Sequence, residues 1–332
     1  MFAPRRLFAG LLVACALAGC AQPGGGPRAL DGPAGAARLR SEPWAYGDRR
    51  GQRLRSAHYV IHTTIDDPEV VDALGQVMEG AFAQYRRIAP DAPATDRPME
   101  CYVFQYRNEW AAYTKQNTGP DAPIYLQINR GGYTFGDRYV AFFIGDIQTY
   151  SVAAHEGWHQ YVARHFKHRP PPFLEEGLAC LFEQVRWERD LPRWDLTSNS
   201  NRIRGLRNAS ESRTLMPLRQ LVSMHAGQVV NGTSFQVEAF YAQNWAFARF
   251  LWDAEGGRYR PALQRMLADA AAGRLYRDNI ARRPGGTEWD PTSAAPLLER
   301  YLDMPLADID RAYRAYIRKI VAGGPQALGV ES

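Results

Sequence analysis

The stretch His58-Tyr59-Val60-Ile61-His62-Thr63-Thr64 is dense in strand formers and ends at the turn residues Asp66-Asp67-Pro68, which predicts a β-strand. The apolar spacing then lengthens. Val70, Leu74, Val77, Met78, Phe82 and Tyr85 fall on one face of a helix from Pro68 to Ala89. Beyond it the pattern predicts a strand over Glu100 to Gln105, a short helix over Glu109 to Lys115 and a strand over Ile124 to Ile128. A hairpin from Tyr133 to Ile144, turning at Gly136-Asp137, closes this half. The remainder reads as helices over Thr149 to Phe166, Pro172 to Arg189, Pro217 to His225, Phe235 to Ala254, Arg260 to Ala272 and Leu306 to Val321. Strands first and helices afterwards imply an α+β fold: a small mixed or antiparallel sheet over 53–147, packed against the first long helix of a mainly helical part over 148–323, with a tail over 324–332.

Composition changes this picture in three places. With 332 residues, 45% hydrophobic and 12% aromatic, the chain can bury a substantial core. The net charge of +5 comes almost wholly from arginines interspersed with Asp and Glu, since Lys occurs only at positions 115, 167 and 319. No basic block marks a nucleic-acid footprint, and no nucleic-acid partner is expected. From Ala21 to Gln52 the sequence turns to Gly, Pro, Ala and Arg with little apolar periodicity, which suits a flexible spacer, with ordered structure expected from about Leu54.

Residues 1–20 carry Arg5 and Arg6 ahead of an apolar run from Leu7 to Leu17. That run is shorter than the roughly 20 residues needed to span a bilayer, and it reads as a secretory signal. The segment Leu17-Ala18-Gly19-Cys20 resembles the bacterial lipobox. The resemblance implies that Cys20 is lipidated, becomes the mature N-terminus and tethers the protein to a membrane of the cell envelope, with the domain outside the cytoplasm. The alternative is an ordinary secretory peptide cleaved nearby. Cys101 and Cys180, the cysteines beyond this region, sit in apolar surroundings. They could form one disulfide in an oxidising compartment or remain two buried thiols.

The candidate chemistry lies at the junction of the two halves. His155-Glu156-Gly157-Trp158-His159 fits HExxH on a predicted helix. Residues i and i+4 share a face, so two imidazoles can converge on one zinc ion, while Glu156 is rotated by about 100° and can reach a water on that ion as general base. Chance alone would give this pattern in about one chain in a hundred of this length, so a third ligand decides. Gly157 costs about 1 kcal/mol relative to Ala within a helix, and a strand or substrate passing close by would explain it. His58 and His62, four apart in a strand, lie about 13 Å from each other and are read as structural.

One third ligand would be His165, because His155, His159 and His165 have the histidine spacing of the metzincins. Val162 stands where that pattern needs Gly, and a β-branched residue disfavours the turn that would swing His165 back. If the helix continues, His165 lies about 9 Å beyond His159 and belongs to a solvated helix end with His168. The other reading starts a second helix after Pro170-Pro171-Pro172 and returns antiparallel, offering Glu175 or Glu176.

Here Pro172-Phe173-Leu174-Glu175-Glu176-Gly177-Leu178-Ala179 resembles the gluzincins of the peptidase MA clan, whose third ligand is the Glu before Gly in Glu-Gly-x-Ala. The likeness covers about 25 residues across both motifs. It implies a zinc metallopeptidase holding one Zn²⁺ through His155, His159 and Glu176, acting on a peptide or protein substrate. Glu175 is then an exposed helix-start charge, and Glu183 a surface residue or a support for the ligands. Tyr241, in Phe240-Tyr241-Ala242-Gln243-Asn244, lies at a distance similar to that of the catalytic tyrosine of gluzincin aminopeptidases. It is read either as an oxyanion donor or as a core residue of an aromatic-rich helix. No Gly-x-Met-x-Asn segment precedes the HExxH helix, so aminopeptidase specificity is not implied; the chain looks more like short gluzincin-like domains of bacterial envelopes. Two alternatives stand beside the peptidase: an envelope scaffold that keeps zinc for stability, and a metallohydrolase of a non-peptide ester or amide.

Overall fold

The computed structural model describes residues 36–229, 232–276 and 290–323. Cys20, the signal segment and the tail over 324–332 lie outside them. The architecture is α+β, with a six-stranded mixed sheet in the N-terminal half and helices in the C-terminal half.

The sheet begins earlier than expected. β1 (Arg40–Tyr46) and β2 (Arg49–Arg55) pair antiparallel about the two-residue turn Gly47-Asp48. Their Arg-rich composition resembles a spacer because this edge hairpin exposes most of β1, with only Glu42, Trp44 and Tyr46 partly covered. β3 (Tyr59–Thr63) joins β2 antiparallel. Helix α1 (Pro68–Ile88) follows, started by Asp67, whose side chain accepts from the N–H groups of Glu69 and Val70, and by Pro68 in its first turn. β4 (Met99–Phe104) lies parallel to β3.

Next come α2 (Arg107–Asn117) and α3 (Ala122–Tyr125), and the strand expected over Ile124 to Ile128 is absent there. Tyr125 and Ile128 are buried and Ile124 is exposed, a three-residue period that suits a helical turn begun by Pro123. β5 (Gly132–Phe135) and β6 (Arg138–Phe142) form the expected hairpin at Gly136-Asp137. β6 lies parallel to β4, giving the order β1-β2-β3-β4-β6-β5 with β5 at an edge.

Alternation along the strands makes two apolar layers. Tyr59, Ile61, Cys101, Val103, Tyr139 and Ala141 join α1 and the first long helix of the second half in the main core. Phe104, Val140, Phe142 and Tyr133 pack with Trp110, Tyr113 and Tyr125 on the other side. That first long helix is α4 (Asp146–His165), and α5 (Pro172–Leu181) follows it. The helix expected to continue to Arg189 stops at Leu181. β7 (Val185–Glu188) and β8 (Leu191–Trp194) then form a hairpin over Arg189 and Asp190, both at positive φ. Burial of Trp194, whose Nε1 donates to the carbonyl of Phe182 at 2.9 Å, holds this turn back against α5.

The rest is α6 (Ser200–Glu211), α7 (Leu218–Val222), α8 (Ala226–Val229), α9 (Ser234–Gly257), α10 (Arg260–Ala272), α11 (Ala294–Leu302) and α12 (Leu306–Gly323). α9 packs along both α5 and α6. Helix α6 is not among the expected elements, because its apolar stripe is only Ile203, Leu206 and Ala209 among polar residues.

His58 and His62 are held apart. His58 pairs with Glu79, Nδ1 to Oε2 2.7 Å, and His62 stacks on Tyr102 with centroids 4.6 Å apart. Cys101 and Cys180 are buried free thiols. No described helix is long and apolar enough to cross a membrane.

Candidate metal centre

α4 runs unbroken through His155, Glu156 and His159 to His165, so His165 never turns back toward the other two. It is not the solvated end expected either. His165 is buried against Tyr161, and its Nδ1 donates to the Pro93 carbonyl at 2.6 Å. The chain then reverses. Lys167 and His168 donate their N–H groups to the carbonyls of Ala271 and Ala270 on α10, and the Pro171 carbonyl accepts from Leu174 and Glu175 at the start of α5. The prolines thus end one helix and begin another, and α5 comes back beside α4.

This return brings three acceptor atoms together. Nε2 of His155 and Nε2 of His159 are 3.3 Å apart, and each lies 3.6 Å from Oε2 of Glu176. All three side chains are buried. Each imidazole turns its other nitrogen to a carboxylate: His155 Nδ1 to Glu183 Oε1 at 2.9 Å, and His159 Nδ1 to Glu175 Oε1 at 2.8 Å. A carboxylate can only accept, so both Nδ1 atoms carry protons, which leaves two Nε2 lone pairs and an unpartnered Glu176 oxygen facing one point.

Such a cluster demands positive charge. Two nitrogens bound to tetrahedral zinc at about 2.05 Å would be separated by about 3.3 Å, the spacing found here, so the donor set fits a zinc ion. Without a cation the site draws protons. Burial disfavours a charged His159, but the negative charge of Glu176 and hydrogen bonds to Glu175 and Glu176 outweigh it and carry the imidazole to about 10. His155 is likewise raised: burial opposes the shift, and its bonds to Glu176 and Glu183 prevail.

The carboxylates behind the imidazoles are anchored in turn. Glu183 accepts from Arg202 Nε at 2.8 Å and Nη2 at 2.5 Å, and from Asn199 Nδ2 at 2.8 Å. Glu175 pairs with Arg169, whose Nε reaches Oε2 at 3.0 Å and whose Nη2 reaches Oε1. Glu175 is therefore not an exposed helix-start charge. It is 4% exposed, and Arg169 and His159 together offset its burial. Both carboxyls sit below their ordinary pKa values. Burial resists this in each; the charge of Arg169 overcomes it for Glu175 and that of Arg202 for Glu183.

Glu156 is met from the sheet. Thr134 on β5 reaches Oε2 at 2.9 Å and the main-chain carbonyl of the same residue at 3.0 Å. Oε1 is buried with no partner, and burial first, then the negative charge of Glu176, hold this carboxyl above its usual range. Tyr241 on α9 places its ring centroid 6.4 Å from that of His155, and the Arg202 guanidinium lies over the same phenol at 5.0 Å. Burial and the nearby Glu176 charge raise the phenol well above 10, so it keeps its proton.

Two glycines let the helices close in. A Cβ on Gly157 would sit 2.5 Å from Oη of Tyr85 on α1, a hydroxyl that donates to the Ala154 carbonyl at 2.5 Å. The close neighbour is thus a tyrosine rather than the strand or substrate expected. A Cβ on Gly177 would overlap the main-chain carbonyl of Asn244 on α9.

Beside the centre lies a cavity of about 220 Å³, and Glu183 and Tyr241 form part of its wall. Thr134, Arg169, Asn199 and Arg202 were not singled out from the sequence. A polar residue without regular spacing gives no signal of its tertiary partner. A second grouping, His155, Cys180 and Glu183, also lies within ligand distance. Its Glu183 oxygens are already taken by Arg202, Asn199 and His155, so the first grouping fits a cation better. No family model, curated protein or solved structure matches the chain.

Proposed function

We propose that the chain is a zinc-dependent metallopeptidase of gluzincin type. The carrying observation is the convergence of His155 Nε2, His159 Nε2 and Glu176 Oε2 at 3.3 to 3.6 Å from one another, with both Nδ1 atoms committed to carboxylates. Zinc bound by these three would lower the pKa of a coordinated water and polarise a substrate carbonyl. Glu156, with Oε1 unpartnered and Oε2 steadied by Thr134, takes the proton from the attacking water and passes it to the leaving amine. Tyr241 donates its hydroxyl proton in a hydrogen bond to the oxyanion that develops at the carbonyl. Glu183 and Glu175 hold the imidazole orientations throughout. Thr134 brings the β5–β6 hairpin alongside Glu156, where the hairpin borders the substrate cleft of this reading.

A buried carboxylate with a free oxygen favours hydrolysis over a purely structural zinc site, which needs no base and closes its fourth position. The reading also keeps the lipid tether at Cys20 and a place in the bacterial envelope, which rest on the lipobox resemblance. The deciding experiment loads purified protein with zinc and follows a panel of protein and cell-wall substrates with and without chelator. Chelator-sensitive peptide cleavage, lost in Glu156→Gln with zinc retained at one ion per chain, is expected. Zinc-free protein, or cleavage indifferent to Glu156, would rule the proposal out.

A further inference from the structure

The cavity beside Tyr241 has a chemistry of its own. Its wall is apolar at Ile144, Ile147, Val152, Val185 and Val237, and three guanidinium groups, those of Arg130, Arg202 and Arg204, line it with two carboxylates, Glu183 and Glu238. Arg202 and Glu183 neutralise each other through two hydrogen bonds. Arg130 and Arg204 have no carboxylate partner among the described residues. Their contacts are long ones to neutral oxygens, Ile144 carbonyl at 3.5 Å and Asn201 Oδ1 at 3.3 Å. The wall therefore keeps an excess of one positive charge, borne by side chains able to turn toward a ligand.

Position makes this excess relevant to the reaction. Ser151 and Val152, one turn before His155 on α4, line the cavity together with Tyr241 and Glu183. A group entering it thus lies next to Tyr241, the residue proposed to donate to the substrate oxyanion. A volume of about 220 Å³ suits a side chain or a chain end rather than a folded partner. An apolar stem with an anionic head matches both wall types.

We propose that this cavity is a substrate subsite for a carboxylate, read by Arg130 and Arg204, which deepens and rests on the peptidase reading above. The carboxylate is carried either by an aspartate or glutamate side chain beside the scissile bond or by the C-terminus of a short peptide. Arginine suits either, because its planar fork binds a carboxylate with two parallel hydrogen bonds.

The test uses the full chain as Glu156→Gln, loaded with zinc, so that binding is measured without turnover. Fluorescent hexapeptides are compared in pairs, glutamate against glutamine at each position and free against amidated C-terminus. Tenfold or greater preference for one charged member is expected, and the pair that shows it identifies the source of the carboxylate. Adding Arg130→Gln and Arg204→Gln together is expected to shrink the preference to within twofold, and Arg204→Glu to turn it toward lysine. Both arginines are exposed, so unchanged melting curves should accompany the altered preference. Equal binding of charged and neutral members, or a preference that survives loss of both arginines, overturns the subsite. An arginine-dependent preference in a zinc-loaded parent that cleaves none of the peptides would instead sink the hydrolase reading and leave the subsite standing.

Discussion

Glu183 Oε1 lies 2.9 Å from Nδ1 of His155, on the opposite side of the ring from the nitrogen that faces Glu176. The same carboxylate takes both hydrogen bonds from Arg202, whose guanidinium also lies over the ring of Tyr241. One half-buried cation therefore steadies a proposed metal ligand and a proposed oxyanion donor together.

Glu183→Gln keeps an acceptor for His155 but removes its charge and offers Arg202 a poorer partner. Zinc affinity is expected to fall about 10- to 100-fold, measured by competition with a chromophoric chelator. An unchanged affinity would show that the carboxylate does not tune the imidazole.

Glu156→Gln is expected to bind one zinc like the parent while turnover drops about 100- to 10,000-fold, the usual range for a lost general base. Metal content by mass spectrometry beside peptide hydrolysis gives both halves of the result. Loss of zinc together with activity would instead make Glu156 part of the metal's support.

Stripping the metal should also be visible in stability. Ligand binding to the folded state alone adds about 2.7 kcal/mol when free zinc stands at 100 times its Kd. A lower melting temperature in excess chelator, restored by zinc, is expected. His159→Ala should abolish the zinc-dependent part of that shift, and a shift of undiminished size would place the stabilising metal elsewhere.

Gly157→Ala forces a methyl group against the Tyr85 hydroxyl and is expected to cost about 1–3 kcal/mol. Tyr85→Phe alone removes the bond to the Ala154 carbonyl and costs about 1 kcal/mol. Combined, they should be less harmful than their sum, because the phenylalanine leaves room for the methyl. Denaturant unfolding of the four proteins checks this, and simple additivity would contradict the contact.

Glu79 supplies a pH test away from the metal. Burial pushes its carboxyl pKa upward, but hydrogen bonds from His58 and Ser56 prevail and hold it below its ordinary value. A depressed carboxyl contributes stability above its unfolded pKa of about 4.3, and that contribution fades as pH falls through the lower folded value. Glu79→Gln is expected to be about 1–2 kcal/mol less stable than the parent at pH 7, with the gap narrowing below about pH 4. A gap that stays constant with acidification would mean that the charge of Glu79 contributes nothing.

Period and punctuation made part of this molecule readable in advance. The helix bearing His155, Glu156 and His159 follows from apolar spacing, and the prolines before Phe173 announce the reversal that brings Glu176 to both imidazoles. Tyr241 could equally have belonged to an aromatic core, and only the packing of α9 on α5 and α6 sets it beside His155. Arg169 and Arg202 were hidden for a physical reason. An arginine joined to a buried glutamate looks, in sequence, like one exposed on a solvated helix, because the difference lies wholly in which segment covers it. The same ambiguity made Glu175 look exposed and the β1–β2 hairpin look like spacer.

Contact between Gly177 and the main chain of Asn244 sets how far α5 can stand from α9. The offset between Glu176 and Tyr241 is consequently set where the backbone of α5 meets the backbone and the Ala248 methyl group of α9. Substitutions elsewhere along these helices can drift in size over evolutionary time while that spacing stays put, whereas even the smallest branch at position 177 would wedge the pair apart.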